Sequence, residues 1–503
     1  MGAPTTRCRT RRQRYRLRVP RARNVLWPWC AASRRANLRT NDAQHRRAGL
    51  VRVDRIAALH VALCAMGCGS TASDGADHAG NGGEAAVGGA PASTGGGGNG
   101  AVPDLGVPLL DRSPELEHAC EPIRPVTKLG APWAGGDVAA AADPTWFFLV
   151  RTAGAGGDAG LSSDSGVLFS RFTTGGSVAS TQTLQSDAAA DSVAWDPTLS
   201  VTSDRSTVAW TEQSTVTSET RVVYAEVDHA GALLTPPRLV SGAAGAPRIV
   251  GAEGERFLFW LAGDRTESRL MFARLELGGT LSAPITAPIE VGTPALDVAA
   301  IDGGFALVYH RFSGEEEGLS LVTFDSDGAL RGESVVGPAE YNVSTFGVRA
   351  AALISHGNEL WVAWPERADL GLGATIRIAR FDHEAERTAP DVRLQAPTPT
   401  RENVDPRWLA FGGDIGLFWS NGTISPSMCG GCFPDHSLSF IVLDGDDLTP
   451  KSARVNLLNP IANGGLLRTR AAQNGEYIVV LATATYHAAE EGTSAALRCS
   501  AID

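Results

Sequence analysis

Eight charged or imidazole side chains stand where acid–base chemistry or polar binding is most easily placed in this sequence. They are Glu212, His310, Arg311, Glu366, Arg367, Asp435, His436 and His487. Glu212 and Glu366 each follow a tryptophan by two residues, so they occupy matching positions. If the matching segments surround a central channel, both side chains can reach its mouth as a carboxylate pair. Two carboxylates held about 5 to 9.5 Å apart can carry out glycoside hydrolysis. The competing interpretation is a set of solvated loop charges, and lone loop histidines such as His310 and His487 rarely signify catalysis without a positioned partner.

The segment CGGC, Cys429 to Cys432, has three possible chemistries. A redox pair needs a helix N-terminus to stabilise its thiolate, and no helical pattern is present here. A zinc site needs about four ligands, and only His436 lies nearby in sequence. We therefore expect a small disulfide within a loop. The acidic turn DGDD, Asp444 to Asp447, lacks the ligand spacing of a calcium loop, so we expect neither a metal nor another cofactor.

The residues above must be positioned by a repeated unit. An apolar run that ends in an aromatic residue recurs at Trp210, Trp260, Tyr309, Trp364 and Trp419, with intervals of 50, 49, 55 and 55 residues. A polar stretch follows each run, and then a strand with alternating apolar residues, such as RVVYAEV or IRIARF. Most of these strands enter a turn rich in Asp and Gly, which is typical of hairpins.

One further strand precedes each aromatic run and another follows each Asp/Gly turn, which gives four strands per unit and seven units. The pattern resembles a seven-bladed β-propeller over nearly all of residues 118–503, so the sequence predicts an all-β propeller of four-stranded blades. The alternative is a pair of tandem β-sandwiches. The turns lack the Asp-box of sialidases, and the Gly-Gly pairs are too irregular for kelch repeats.

Two cysteines favour closure of a ring. The last unit ends after its third strand, SAALRCSAID, while the segment CEPIRPVTKLG at Cys120 has the character of an unattached fourth strand. If this strand completes the last blade, Cys120 and Cys499 lie on adjacent antiparallel strands. An even number of cysteines in an exported chain indicates disulfides, so we expect a Cys120–Cys499 bond that joins the two ends of the domain.

The loops between second and third strands are long and charged, whereas the turns between first and second strands are short. In propellers the second-to-third loops share one face with the connections to the next blade. Long irregular loops on a rigid scaffold commonly carry binding residues. We therefore expect a ligand on this face, near the central channel.

Residues 51–67 have the charged, apolar and small-residue regions of an export signal, and residues 1–50 hold 14 Arg with one acid, Asp42. Because an export signal belongs at a true N-terminus, we interpret residues 1–50 as an upstream mistranslated or disordered basic leader. AMGC, Ala65 to Cys68, resembles the bacterial lipobox, with Ala65 where Leu is usual. The resemblance implies lipidation of Cys68, and Gly69 instead of Asp implies the outer membrane. The alternative is a cleaved signal and a soluble periplasmic or secreted product.

Residues 68–101 are rich in Gly, Ser and Ala, as in a flexible tether, and residues 102–503 are the predicted propeller domain. Removal of residues 1–67 takes away 16 of the 44 Lys and Arg and 2 of the 55 Asp and Glu, which leaves a net charge of −25. Such a domain repels phosphate backbones, so we expect no nucleic-acid partner. We expect a monomer whose membrane contact is the lipid alone.

Two functions remain open from the sequence. The first is a binding or scaffold module for a protein, peptide or glycan at the cell envelope, favoured by the anchor and the tether. The second is an exported carbohydrate-active hydrolase or lyase on the same scaffold. The fold does not distinguish them, because propellers support both.

Overall fold

Antiparallel hairpins follow one another through the computed structural model of the protein and assemble into seven sheets. The structure describes residues 116–123, 127–128, 138–152, 166–185, 192–240, 243–252, 254–263, 269–276, 278–290, 296–311, 318–338, 351–367, 374–394, 401–423, 436–457, 467–484 and 493–501. All of them belong to one compact unit, residues 97–503. Within the described ranges, no helix has the length and apolar character that crossing a bilayer would need.

Each sheet is one blade of four main strands, and we number the blades 1 to 7 along the chain. Two strands at the N-terminus join the last blade, namely β1 (His118–Pro122) and β2 (Thr127–Lys128). Blade 1 consists of β3 (Val138–Ala142), β4 (Phe147–Thr152), β5 (Val167–Phe172) and β6 (Val178–Leu184). Blade 2 consists of β7 (Ser192–Val201), β8 (Ser206–Ser214), β9 (Thr220–Val227) and β10 (Leu233–Val240). Blade 3 consists of β11 (Ala243–Ala252), β12 (Glu255–Ala262), β13 (Arg269–Arg274) and β14 (Ile285–Glu290).

The remaining blades have the same hairpin order. Blades 4 to 7 consist of β15 (Leu296–Ile301), β16 (Gly304–Arg311), β17 (Gly318–Asp325) and β18 (Leu330–Pro338); β19 (Ala352–His356), β20 (Glu359–Arg367), β21 (Ala374–Phe381) and β22 (Val392–Leu394); β23 (Arg401–Phe411), β24 (Asp414–Thr423), β25 (His436–Leu443) and β26 (Val455–Asn456); and β27 (Leu467–Asn474), β28 (Tyr477–Ala484) and β29 (Thr493–Ala501) with β1.

The first strands of the blades form a closed ring. Each contacts the first strand of the next blade, and β27 of blade 7 contacts β3 of blade 1. Seven four-stranded sheets around one axis confirm the predicted β-propeller and exclude tandem sandwiches, which would leave two separate stacks.

The two ends of the domain meet in blade 7, as predicted. Strand β1 pairs antiparallel with β29, and Cys120 lies directly opposite Cys499 in the register. The two cysteines form a disulfide across 379 residues of sequence. His118 Nε2 donates a 2.8 Å hydrogen bond to Asp414 Oδ2 of blade 6, so the N-terminal strand is also attached to the neighbouring blade.

Among the described residues, the hydrophobic core is divided into seven clusters, one at each seam between neighbouring blades. Phe147, Leu149 and Phe172 of blade 1 pack with Ala472 and Val479 of blade 7, which closes the series. The repeated aromatics follow one rule: Trp210 lies in the seam toward blade 1, and Trp260 lies in the seam toward blade 2. Burial of a large apolar side chain stabilises by about 2 to 3 kcal/mol, so the repeated aromatic stabilises each blade against the one before it.

The turns between third and fourth strands also contact the preceding blade. In blades 2 and 3 these turns contain Gly231 and Gly279 in the left-handed region, with φ of 94° and 70°. Tyr224 of blade 2 donates a 2.9 Å hydrogen bond to the Gly279 carbonyl. A Cβ at Gly279 would lie 2.9 Å from Thr235 Cγ2 and 3.0 Å from Glu226 Oε2. Glycine is therefore required there both by backbone conformation and by the close approach of the preceding blade.

Candidate functional site

Glu212 is a buried structural carboxylate at the end of β8. Its Oε1 accepts a 3.0 Å hydrogen bond from Trp210 Nε1, and its Oε2 lies 2.7 Å from Arg221 Nη2. Glu212 and Arg221 are direct partners in the β8–β9 register. Both carboxylate oxygens therefore accept hydrogen bonds within blade 2.

Glu366 has the equivalent environment in blade 5. Its carboxylate pairs with Arg377 at one oxygen and with Arg393, 3.1 Å away, at the other. Arg377 also contacts the buried Asp391, at 2.6 Å. The pairing joins β20, β21 and β22 into one charge network on one face of the blade.

The structure does not bring the two carboxylates together. A strand places residues two apart on the same side of its sheet, so Glu212 lies on the face that carries Trp210 and Glu366 on the face that carries Trp364. Those tryptophans pack in the seam between blades 1 and 2 and in the seam between blades 4 and 5, respectively. The spacing that suggested a shared channel mouth instead directs each acid into its own seam.

His310 and Arg311 end β16 but differ in environment. His310 is 4% exposed, and burial lowers the pKa of its imidazole from 6.5 to about 4. It is therefore neutral at pH 7. Arg311 is partly exposed and pairs with Glu333 of β18 at 3.2 Å, and Tyr309 donates a 3.3 Å hydrogen bond to the same carboxylate.

The other predicted residues are not described at the side-chain level. Arg367 and His436 are the end residues of β20 and β25, and their side chains lie outside the described part of the structure. Residues Asp435, His487, Cys429, Cys432 and Cys68 lie outside the described residues altogether. Most of the long second-to-third loops lie outside them too, apart from residues 215–219.

The first strands carry a polar position that sequence reasoning missed. In blades 2 to 6, one residue of the first strand pairs with the second-strand residue that immediately precedes the repeated aromatic. This first-strand residue occupies the same place in each of these blades. These residues are Thr198, Arg248, Asp297, Ala352 and Arg407. All but Ala352 are polar, and Thr198, Arg248 and Asp297 connect their blades to the next one by hydrogen bonds.

Three of those seams are joined by side-chain-to-backbone hydrogen bonds. Thr198 Oγ1 accepts from the Ile249 amide at 3.3 Å, Arg248 Nε donates to the Leu296 carbonyl at 3.2 Å, and Asp297 Oδ2 accepts from the Leu353 amide at 3.0 Å. Each bond runs from one first strand to the next. These polar residues therefore join the first strands of blades 2 to 5 to one another.

A β-bulge precedes this position in three blades. The register shifts between Trp195 and Thr198, between Gly245 and Arg248, and between Val404 and Arg407. The bulged residues Asp196, Ala246 and Asp405 have φ of 45°, 54° and 52°, and a proline follows each of them. Bulges redirect side chains and occur often at functional sites. The signal was present in the sequence as WDPTL, GAPRI and VDPRW.

Two of these bulges supply carboxylates, which form what we call the axial charge pairs, Asp196–Arg248 and Asp405–Arg407. Asp196 Oδ2 lies 3.0 Å from Arg248 Nη1 of the next blade, and Asp405 pairs with Arg407 on the same strand. The side chain of Asp196 is 23% exposed and that of Arg248 is 6% exposed. The seam of blades 2 and 3 and the strand of blade 6 are about half a turn apart in a ring of seven. The side chains of Asp405 and Arg407 are 4% and 10% exposed, so Asp196 is the most exposed group of the two pairs.

Acidic turns elsewhere use their carboxylates locally. Asp228 Oδ1 accepts from the amides of Ala230 and Ala232 at 2.9 and 2.8 Å, and Asp444 Oδ1 accepts from the Asp446 amide at 2.7 Å. Such bonds stabilise a turn. Among the described residues, no three His, Cys, Asp or Glu side chains cluster as metal ligands would.

No family model and no curated protein matches the chain. Solved structures of similar fold include the phage phi92 endosialidase, 8% identical with a TM-score of 0.42, where the match covers 77% of this chain and 70% of that one. The Penicillium chrysogenum alpha-L-arabinanase is 13% identical with a TM-score of 0.36 and coverages of 60% and 92%. The Pyrococcus horikoshii acylaminoacyl peptidase is 10% identical with a TM-score of 0.37 and coverages of 69% and 49%. None of these similarities assigns a function.

Proposed function

We propose that this protein is an exported binding module that holds a protein, peptide or glycan at the axial end of its propeller, on the face of the long loops. The observation that carries the proposal is the arrangement of the axial charge pairs. Each first strand begins at that face, and the bulges at Asp196 and Asp405 lie in the first half of their strands. A ligand that enters along the axis contacts Asp196, the most exposed group of the two pairs.

The chemistry of the pairs favours a polar ligand. A carboxylate accepts hydrogen bonds, and the planar guanidinium donates several in a fixed geometry. Together they complement hydroxyl and amide groups, which both donate and accept. Because each pair is close to neutral, it suits a polar group better than an isolated ion.

Binding is favoured over catalysis by the state of the candidate carboxylates. Glu212 and Glu366 both accept hydrogen bonds from arginines at short range and serve as fixed structural charges. A general acid or base must exchange protons with substrate. Carboxylates that lie within blade seams are poorly placed for that role.

The alternative is a carbohydrate-active hydrolase, and one observation favours it. Asp196 is a part-exposed carboxylate on a first strand, and Asp405 is a buried one about half a turn away, while glycoside hydrolysis requires two carboxylates. Under this alternative, Asp196→Asn and Asp405→Asn would each abolish release of reducing sugar. The binding proposal expects no release by the unmodified chain.

A glycan array and a pull-down from envelope extracts test the binding proposal. The chain with Asp196→Asn should lose at least tenfold in affinity for whatever the unmodified chain captures. The matched control is Glu384→Gln, an exposed acid in the turn between β21 and β22, on the opposite face. Equal capture by both variants would show that the ligand does not contact the axial pairs.

We further propose that Cys68 is lipidated and holds the domain at the outer membrane through the tether of residues 68–101. The lipobox-like AMGC and the composition of the tether support this. A palmitate analogue should label the unmodified chain and not Cys68→Ser. Unchanged labelling in the mutant, or a mature protein that retains residues 1–50, would count against the anchor and favour a soluble periplasmic or secreted product.

A further inference from the structure

Strand β6, the outermost strand of blade 1, has an unusually regular exposed edge. Its sequence VASTQTL contains no charge and no proline, and most of its residues are exposed. Five consecutive residues, Ser180 to Leu184, pair with β5 without a register shift. Among the described residues, β6 is the last strand of its sheet.

The other outer strands carry features that discourage edge pairing. Charged side chains, prolines, bulges and short length are the usual protections of a sheet edge. Strand β10 contains Pro236 and Pro237 and has two register shifts. Strand β18 has two register shifts and ends at Pro338, and it carries Arg331 and Glu333.

The four remaining blades are protected in related ways. Strand β14 contains Pro288, and β22 and β26 are only three and two residues long. Strand β1 ends at Pro122 and is held to β29 by the disulfide. Strand β6 lacks these devices along its regular stretch, so its outer backbone groups are the best placed to pair with another strand.

We propose that β6 pairs antiparallel with β6 of a second copy of this chain and forms a symmetric dimer. The chain is acidic, with a formal net charge of −11, so two copies repel over most of their surface. An uncharged edge is where this repulsion is smallest. Antiparallel self-pairing also sets Ser, Thr and Gln side chains opposite one another, and such cross-strand pairs are favourable.

The predicted association is weak, because one short strand pair buries less than the roughly 1,200 Å² of a stable interface. Attachment of both copies to one membrane would raise their effective concentration. The proposal replaces the monomer expected from the sequence, and it is independent of the axial binding site.

Sedimentation of the full chain carrying Cys68→Ser tests the dimer without any contribution from lipid. The average mass should rise from one chain toward two as concentration increases. Adding Thr181→Lys and Thr183→Lys should hold it at one chain, because four like charges would meet across the interface. The matched control, Leu234→Lys with Leu239→Lys on β10, adds the same charge at exposed positions and should still dimerise.

A charge-swap experiment separates loss of the interface from loss of the fold. The chain with Thr181→Glu and Thr183→Glu should be monomeric alone and should dimerise when mixed with the lysine variant. A chain that remains monomeric at every concentration overturns the proposal, as does equal association of the lysine variant and the unmodified chain. If the chain is monomeric but loses capture of an envelope protein in the lysine variant, β6 binds a foreign strand and not a second copy.

Discussion

Glu212 and Arg221 face each other across the β8–β9 hairpin, with 2.7 Å between Oε2 and Nη2. The same carboxylate accepts the indole N–H of Trp210, whose ring lies in the seam toward blade 1. A charge that resembled a catalytic group therefore connects a hairpin to a blade seam. We expect removal of the Glu212 carboxylate to lower the stability of the propeller and not to act directly on ligand binding.

We expect Glu212→Ala to lower the free energy of unfolding by about 2 to 3 kcal/mol, since it leaves a buried indole donor without its acceptor. Urea denaturation provides the measurement. The control Glu219→Ala lies on an exposed loop and should change stability by less than about 0.5 kcal/mol. A Glu212→Ala protein with unchanged stability and lost ligand binding would show that Glu212 takes part in binding.

The disulfide makes a second prediction. Cys120→Ser should lower the melting temperature, because closure of a loop of 379 residues stabilises by roughly 6 kcal/mol in the chain-entropy model, from which strain in the folded state subtracts. Cys499 is buried, so its freed thiol should react with a thiol reagent once the chain is denatured. Cys429→Ser should cost much less, since a bridge to Cys432 would close a very short loop. Non-reducing peptide maps should join the Cys120 peptide to that of Cys499, and a link to Cys429 or Cys432 would contradict the structure.

The fold could be predicted because its signals are local and repeated. Apolar runs ending at Trp210, Trp260 and Trp419 recur at nearly constant intervals. In each of these blades the aromatic residue packs against the preceding blade. The incomplete last unit and the lone Cys120 strand were enough to predict ring closure. Both features depend on neighbours in sequence or on simple pairing of ends.

The site could not be predicted in the same way. Whether Glu212 points to the axis or to a seam depends on which face of β8 meets blade 1, and spacing alone does not show this. The pairing of Asp196 with Arg248 joins residues of different blades through a bulge. The repeated Pro after Asp196, Ala246 and Asp405 was the available signal, and it indicates a bulge only once the first strands are aligned with one another.

Seam packing can be tested with two glycines that share a backbone conformation. Gly279 and Gly357 have φ of 70° and 58°, so alanine strains the backbone similarly at both, by about 1 to 2 kcal/mol. A Cβ at Gly279 would also contact Thr235 and the buried Glu226, whereas nothing lies within 4 Å of one at Gly357. Gly279→Ala should therefore cost at least about 1 kcal/mol more than Gly357→Ala in chemical denaturation. Equal costs would show that the turn moves freely away from blade 2.

The buried imidazole of His310 predicts how stability depends on pH. Burial holds its pKa at about 4 in the folded protein, against 6.5 when exposed. Above pH 6.5 the imidazole is neutral in both states and costs nothing. As the pH falls from about 6.5 to about 4, the unfolded chain takes up a proton that the folded chain does not, so stability is lost across that window.

The size of this loss can be isolated by substitution at the same position. A shift of about 2.5 pKa units corresponds to about 3 kcal/mol, and Leu261 occupies the equivalent place after Trp260 in blade 3. His310→Leu should therefore remove this part of the destabilisation between pH 6.5 and 4, and His310→Gln should do so while keeping a polar side chain. Carboxyl groups begin to titrate near the lower end of the window, so the quantity to compare is the difference between each variant and the unmodified chain in urea midpoint across the range. Parallel midpoint curves for all three proteins would mean that His310 takes up its proton without unfolding, and that its seam between blades 4 and 5 opens to solvent in the folded state.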